Sequence, residues 1–556
     1  MTQSSQLCIG LTRILKSELT QMTKNLLRSR LILSATALLI TSVLTVLAQN
    51  GINNPAQAWW AHIQFLADDK LEGRDTGSVG HRKAAEYIAD NFKRAGLMPA
   101  GTAGYIQPVR FRSRRIVEEH SSLALIRKDG VQPIQLGEEA TFNMRVEQAP
   151  RTEAPIVFVG YGLTVPEMKY DDLAGLDLRG KVVLLLTGGP STIPGPLLSH
   201  YQSERWSVLK QAGAIGVLAI QNPRGMDIPW DRAKLARFMP SLTLDDSTLD
   251  DTIGERLAVT INPSRAEKFF NGSGHTFEEI LALANADKLL PKFKIPASIR
   301  ASVKMDTSEI ESQNVVGVLP GNDPNLKNEY VVLSAHLDHV GVGQPINGDR
   351  IYNGAMDNAS GVATLLETAS RLHNTKQSFR RSIVFLAVTA EEKGLLGSKY
   401  FAVHPTVTAK QIAANVNVDM FLPLFPLRSL IVQGLEESNL ADDLRHTGET
   451  LNIKILSDPE PERNSFIRSD QYSFIKRGVP AVALKVGYTK DSPEQLIVKR
   501  WRTDHYHAPS DDLSQPIDFQ AAADFNRAYL LIVKSIANRD ARPKWNSDSF
   551  FRRFAR

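Results

Sequence analysis

Several things are scarce in this chain of 556 residues. There is one cysteine, Cys8, so a disulfide framework and Cys-rich zinc fingers are excluded. No His-Glu-x-x-His and no Gly-x-Ser-x-Gly occurs, which argues against a single-zinc metalloprotease and a serine hydrolase. Gly175 to Lys181 starts like a phosphate-binding loop, but Val182 holds the Ser/Thr place and a strand follows where a helix is required. No repeat of 20–50 residues is present. Charge of one sign is also scarce, since 65 basic residues face 60 acidic ones, a net of +5. Arg13, Lys16, Lys24, Arg28 and Arg30 against Glu18 supply most of that surplus before residue 49, so the basic pI does not point to nucleic acid. With 42% hydrophobic and 22% charged residues, the composition is that of a large globular protein, which excludes wholesale disorder and collagen-like structure.

One long apolar run exists, Leu31 to Ala48. Lys24, Arg28 and Arg30 precede it, and Val46-Leu47-Ala48 offers small residues for cleavage. That order predicts a secretory signal peptide, with an uncleaved N-terminal anchor as the alternative. Both place the remainder outside the cytoplasm, in the periplasm or the medium. Met22 is an alternative start. Cys8 falls in the leader, so the mature chain would have neither a thiol nucleophile nor a thiolate metal site.

Residues 55–98 predict two helices, the second over His81 to Ala95 with Ala84, Ala85, Ile88, Ala89 and Phe92 on one face. Residues 142–265 have another texture: short apolar strands between Pro/Gly-rich loops, a small strand-rich insertion. From Asn314 strands alternate with helices. This predicts an α/β fold, a doubly wound, mainly parallel sheet whose active site lies at the carboxyl ends of its strands.

The polar residues fall at those ends. His336 and Asp338 follow Tyr330 to Ala335, Glu391 and Glu392 follow Ile383 to Val388, and Asp419 follows Ala414 to Val418. Asp357 opens a helix, and Asp504 to Asp511 includes Tyr506 and His507. Imidazole nitrogen and carboxylate oxygen suit zinc, or less selectively manganese or cobalt. A buried carboxylate is costly without a cation to offset it. Asp338 is placed to hold the ring of His336 in one tautomer.

The blocks SAHLDHVG (334–341), NGAMDNASG (353–361), TAEEKGLLGS (389–398), NVDM (417–420), RSDQYSF (468–474) and YHAPSDD (506–512) resemble the co-catalytic double-zinc exopeptidases. That family includes secreted leucyl-type aminopeptidases, glutamate carboxypeptidase and the transferrin receptor ectodomain. FLADDKLEGRDTG (65–77) resembles its N-terminal segment, and YDDLAGLDLRGKVVLL (170–185) resembles a protease-associated domain. The resemblance implies two zinc ions per chain. His336 and Asp419 would hold one, Glu392 and His507 the other, and Asp357 both. Glu391 would be the general base and Tyr506 an oxyanion donor, with His339 and His505 outside the ligand set. A cis peptide would join Asp357 to Asn358. The implied layout is a leader over 1–48, a peptidase domain over 49–141 and 266–556, and a protease-associated insertion over 142–265. The expected activity is that of an exported aminopeptidase acting on peptides, with no nucleic-acid partner and a membrane contact only through an uncleaved leader. A carboxypeptidase or dipeptidase of the same family, or a catalytically silent binding ectodomain, are the alternatives.

Overall fold

The computed structural model describes residues 55–555 apart from Asp227, Lys376, Gln377 and Asn464. The leader read over 1–48 lies outside the described residues. The chain divides into Met1–Ala58 and Trp59–Arg556, and both large sheets lie in the second unit. Among the described residues no helix is long and apolar enough to cross a membrane.

The larger sheet has ten strands. Nine form its main path: β1 (Ile106–Ile116), β2 (Ser241–Leu244), β3 (Met305–Leu319), β4 (Tyr330–His336), β5 (Ser382–Val388), β6 (Ile412–Val418), β7 (Ser429–Gln433), β8 (Lys454–Leu456) and β9 (Ala481–Val486). Their order is β2-β1-β3-β5-β4-β6-β9-β7-β8. The centre, β5-β4-β6-β9, is parallel. These strands are near-continuous Val/Ile/Leu/Ala runs because both faces are covered. Val331, Leu333, Ala335, Ile383 and Phe385 pack under helices α1 (Pro55–Leu66), α2 (Val79–Arg94), α3 (Ser360–Asn374) and, near the C-terminus, Phe519–Asn538. Val332, Val384, Leu386 and Val388 face the opposite layer, against Phe401 and Phe474. Those two rings come from α4 (Leu396–Val403) and α5 (Gln471–Ile475). Helix α6 (Pro493–Asp504), absent from the sequence reading, starts where Ser492 accepts the Gln495 N–H and Pro493 takes the first turn.

The sheet is mixed rather than mainly parallel. β3 runs antiparallel to β5 and to β1, and β7 runs antiparallel to β9. The long β1–β3 pair escaped notice because arginines and acids alternate with few apolar residues along it, as in R-F-R-S-R-R and D-T-S-E-I-E-S. Such alternation marks a ribbon with one face in solvent.

A second sheet of eight strands has its own core around Phe158, Phe269, Phe270 and Phe277. The chain leaves the larger sheet at Ile116 and returns at Met305, and these two residues are register partners. The second sheet therefore draws on strands outside 142–265. It takes in Ser122–Arg127, Gly130–Ile134, Ala140–Phe142 and Phe293–Ser302 at its two flanks. Those strands are half-exposed and carry polar residues, so they lack the apolar texture that marked the middle. One piece of the insertion, β2, reaches back to pair with β1.

Phe385 is fully buried against Phe92, with ring centroids 5.9 Å apart. Phe385→Ala should cost about 3–5 kcal/mol of stability, read as a lowered denaturant midpoint at unchanged slope. An unchanged midpoint would contradict the assignment of this layer as core.

Candidate metal centre

Adjacent strands β4, β5 and β6 deliver His336, Glu391–Glu392 and Asp419 to one end of the sheet. Asp357 comes from the turn before α3, and Tyr506–His507 from the turn after α6. The parallel centre thus gathers residues spread across 172 positions, from His336 to His507.

Two groups result. Donor atoms of His336, Glu391 and Asp419 all lie within 4.8 Å of one another, as do those of His339, Asp357 and Glu392. Asp357 sits between them. Its Oδ1 is 3.2 Å from His336 Nε2, and its Oδ2 is 3.3 Å from His507 Nε2. Asp419 Oδ1 is 3.5 Å from His336 Nε2, and Glu392 Oε2 is 2.9 Å from His507 Nε2. All five residues named for metal in the sequence are brought together. His339, set aside there, lies closer than expected: it is fully buried, with Nδ1 2.8 Å from Glu392 Oε1. His505 turns away and contacts the Ser510 carbonyl through Nδ1.

Despite these distances, His336 Nε2, His507 Nε2, Asp419 Oδ1 and Glu392 Oε1 have no hydrogen-bond partner, and neither ring nitrogen of His339 has one. Buried polar atoms normally have partners, so a convergent set of unsatisfied nitrogens and carboxylate oxygens fits divalent cations. The electrostatics agree. Burial lowers the His507 pKa, but Glu392 and Asp357 override it and hold the ring at about 10. Burial likewise opposes ionisation of Glu392, yet His507 and His339 hold it well below the usual carboxylate range. Glu391 behaves oppositely: burial, only partly countered by His336 and reinforced by Glu392, pushes its carboxyl well above that range. Two neighbouring glutamates thus have separated proton affinities. The Tyr506 ring lies 4.0 Å from the His507 ring at a 33° tilt, and burial raises its hydroxyl well above the usual value, so it remains a donor.

The groups that hold the ligands were largely invisible in the sequence. His336 Nδ1 donates to the main-chain carbonyl of Asp338 at 3.1 Å, while the Asp338 carboxylate is 3.9 Å away. The tautomer is therefore set by the backbone and not, as expected, by the carboxylate. That carboxylate instead accepts the N–H groups of Glu391 and Glu392 at 3.1 and 3.4 Å and the Thr76 hydroxyl at 3.3 Å. Asp511 does the same for Asp357, accepting the N–H of Met356 at 2.8 Å and of Asp357 at 3.0 Å. Arg74, fully buried, donates to the carbonyls of Leu337, Asn353, Gly354 and Leu66. One guanidinium thus ties the His336 loop to the Asp357 loop. Gly354 is required in that loop: at φ +61°, a Cβ would lie 2.2 Å from the Asp357 carbonyl oxygen and 2.5 Å from the His339 ring. The Asp357–Asn358 peptide is cis, as the family resemblance implied. Asn358 then joins β6 to α3, donating to the Val418 carbonyl and accepting the Gly361 N–H.

Together the fold and the centre define an α/β protein with a paired imidazole–carboxylate site at the carboxyl end of its sheet. Residues 314–533 match the family model of peptidase family M28. The chain is 28% identical over 295 residues to a probable leucine aminopeptidase 2 of Aspergillus oryzae, covering 50% of this chain and 55% of that protein. It is 23% identical over 409 residues to a glutamate carboxypeptidase 2 homolog of Caenorhabditis elegans, covering 62% of this chain and 48% of that protein. The chain thus spans about half the length of these curated relatives. Among solved structures, an aminopeptidase from Aneurinibacillus sp. strain AM-1 shares the fold, with a TM-score of 0.54 at 21% identity over 88% of this chain and 95% of that one.

Asp511→Ala should leave the protein folded yet weaken zinc binding about 10- to 100-fold, as loss of a ligand-orienting partner does. Competition with a chromogenic chelator measures this, and wild-type affinity in the variant would contradict the role given to Asp511.

Proposed function

We propose that this chain is an exported metallo-exopeptidase that removes N-terminal residues from peptides. The observation that carries the reading is the placement of Asp357, one oxygen toward His336 and the other toward His507, among unsatisfied donor atoms. His336 and Asp419 would hold one zinc, Glu392 and His507 the other, with Asp357 shared. When bound, such a pair of ions supplies Lewis acidity and lowers the pKa of water toward neutrality. The chain's own residues do the rest. Glu391 takes a proton from the attacking water and returns it to the leaving amine. Its high proton affinity suits the first half of that transfer, uptake of the proton from water. The Tyr506 hydroxyl donates to the oxyanion that develops on the scissile carbonyl. His336 is kept in register by the Asp338 carbonyl, and Glu391 by the Asp338 carboxylate.

The insertion is read as a protease-associated domain that walls the site. A cleft of about 370 Å³ has Asn143, Arg145 and Trp230 on the insertion side and Glu392 and His507 on the other. Arg145 donates to the Glu392 carbonyl at 3.4 Å. Such a wall favours short or unfolded peptides. The apolar run before residue 49 supports export. A second reading, carboxypeptidase action, draws on the similarity to the nematode glutamate carboxypeptidase homolog.

Glu391→Gln should keep both zinc ions yet lose about 10²- to 10⁴-fold in kcat. Asp357→Ala should lose metal as well, and equal metal loss in the two variants would remove Glu391 as base. Aminoacyl-nitroanilide hydrolysis should be abolished by chelator and restored by zinc. Release of amino acids only from amine-blocked peptides would instead favour the carboxypeptidase reading.

A further inference from the structure

A cavity of about 90 Å³ opens beside the centre, with Asp419 and Tyr506 on its rim. Its floor is one face of the β7–β9 ribbon, where Ala483 and Lys485 of β9 lie beside Ile431 and Gln433 of β7. Phe421 and Tyr488 add apolar walls. Lys485 is out of character there. It interrupts A-V-A-L-K-V, a strand whose other residues are all buried and apolar. An ammonium in such a place normally has a counter-charge. The neighbouring Arg502 has one: it makes a two-pronged contact with Glu460 at 3.1 and 3.2 Å, and the Tyr488 hydroxyl donates to the same carboxylate at 2.5 Å. Lys485 has neither a hydrogen bond nor an ion pair among the described residues. The nearby Asp419 is committed to the metal centre under the reading above.

We infer that this cavity receives the side chain of the residue being released, and that Lys485 selects a carboxylate there, so that preferred substrates begin with glutamate or aspartate. The inference rests on the exopeptidase reading. An all-apolar pocket would discriminate only by volume. The half-buried Lys485 ammonium is left unpaired by leucine and poorly paired by glutamine, so it penalises both.

The test uses the zinc-loaded full chain and two independent readouts. By calorimetry, L-glutamate should bind about 10-fold or more tighter than L-glutamine or L-leucine. Lys485→Met should erase that difference, and Lys485→Arg should keep it. Equal binding of glutamate and glutamine overturns the inference. So does a Lys485→Met variant that weakens all three amino acids alike, because the lysine would then hold the α-carboxylate. In hydrolysis, glutamyl-nitroanilide should exceed glutaminyl-nitroanilide by about 10-fold or more in kcat/KM. Glutamate released from N-acetyl-Leu-Glu, with glutamyl-nitroanilide untouched, overturns the N-terminal assignment. Selective glutamate binding by a protein that cleaves no substrate of either kind would support the pocket and sink the exopeptidase reading.

Discussion

Buried charge is the constraint on which this structure turns. His336, Asp357, Glu392 and Asp419 are almost wholly withdrawn from water at the end of a sheet, yet atoms on three of them lack any hydrogen-bond partner. Removing ionised groups from water costs several kcal/mol each unless opposite charge and good geometry offset it. Within the protein alone, protons on His336 and His507 provide that offset, which is why both rings are held protonated far above their usual range. Cations would supply it better and satisfy the idle lone pairs as well. The rest of the centre follows from this requirement.

The scaffold answers it with rigidity. Three adjacent parallel strands fix the spacing of His336, the glutamate pair and Asp419. The two turns that carry the remaining ligands have no such ladder, and side chains pin them instead. Asp511 holds the backbone on either side of the Met356–Asp357 bond, Asp338 holds both glutamates, and Arg74 binds four carbonyls at once. These partners hold main chain rather than metal-binding atoms. The order they impose is what lets Glu391 and Glu392, neighbours in sequence, differ so sharply in proton affinity.

Much of this was legible in the sequence because strand ends are easily found. Apolar runs such as Y-V-V-L-S-A and S-I-V-F-L-A-V end abruptly at His336 and just short of Glu391, so the chemistry could be read from position alone. The supporting residues were not legible. Arg74 lies in a loop without periodicity, and its role appears only when four distant carbonyls converge on it. The Asp338 carboxylate looked like a partner for His336 because the two are close in sequence, whereas folding sends it to β5. The outer strands of the second sheet hid behind half-exposed positions, and the β1–β3 ribbon behind alternating charge. Lys485 was invisible as well, since a lysine near a strand end usually marks an exposed edge and here it faces a cavity.

The most direct test of the account is diffraction at the zinc absorption edge from crystals grown with zinc. Two anomalous peaks are expected, one between His336 and Asp419 and one between Glu392 and His507, with a carboxylate oxygen of Asp357 turned to each. A single peak, no peak, or a second ion held by His339 in place of His507 would contradict the proposed centre.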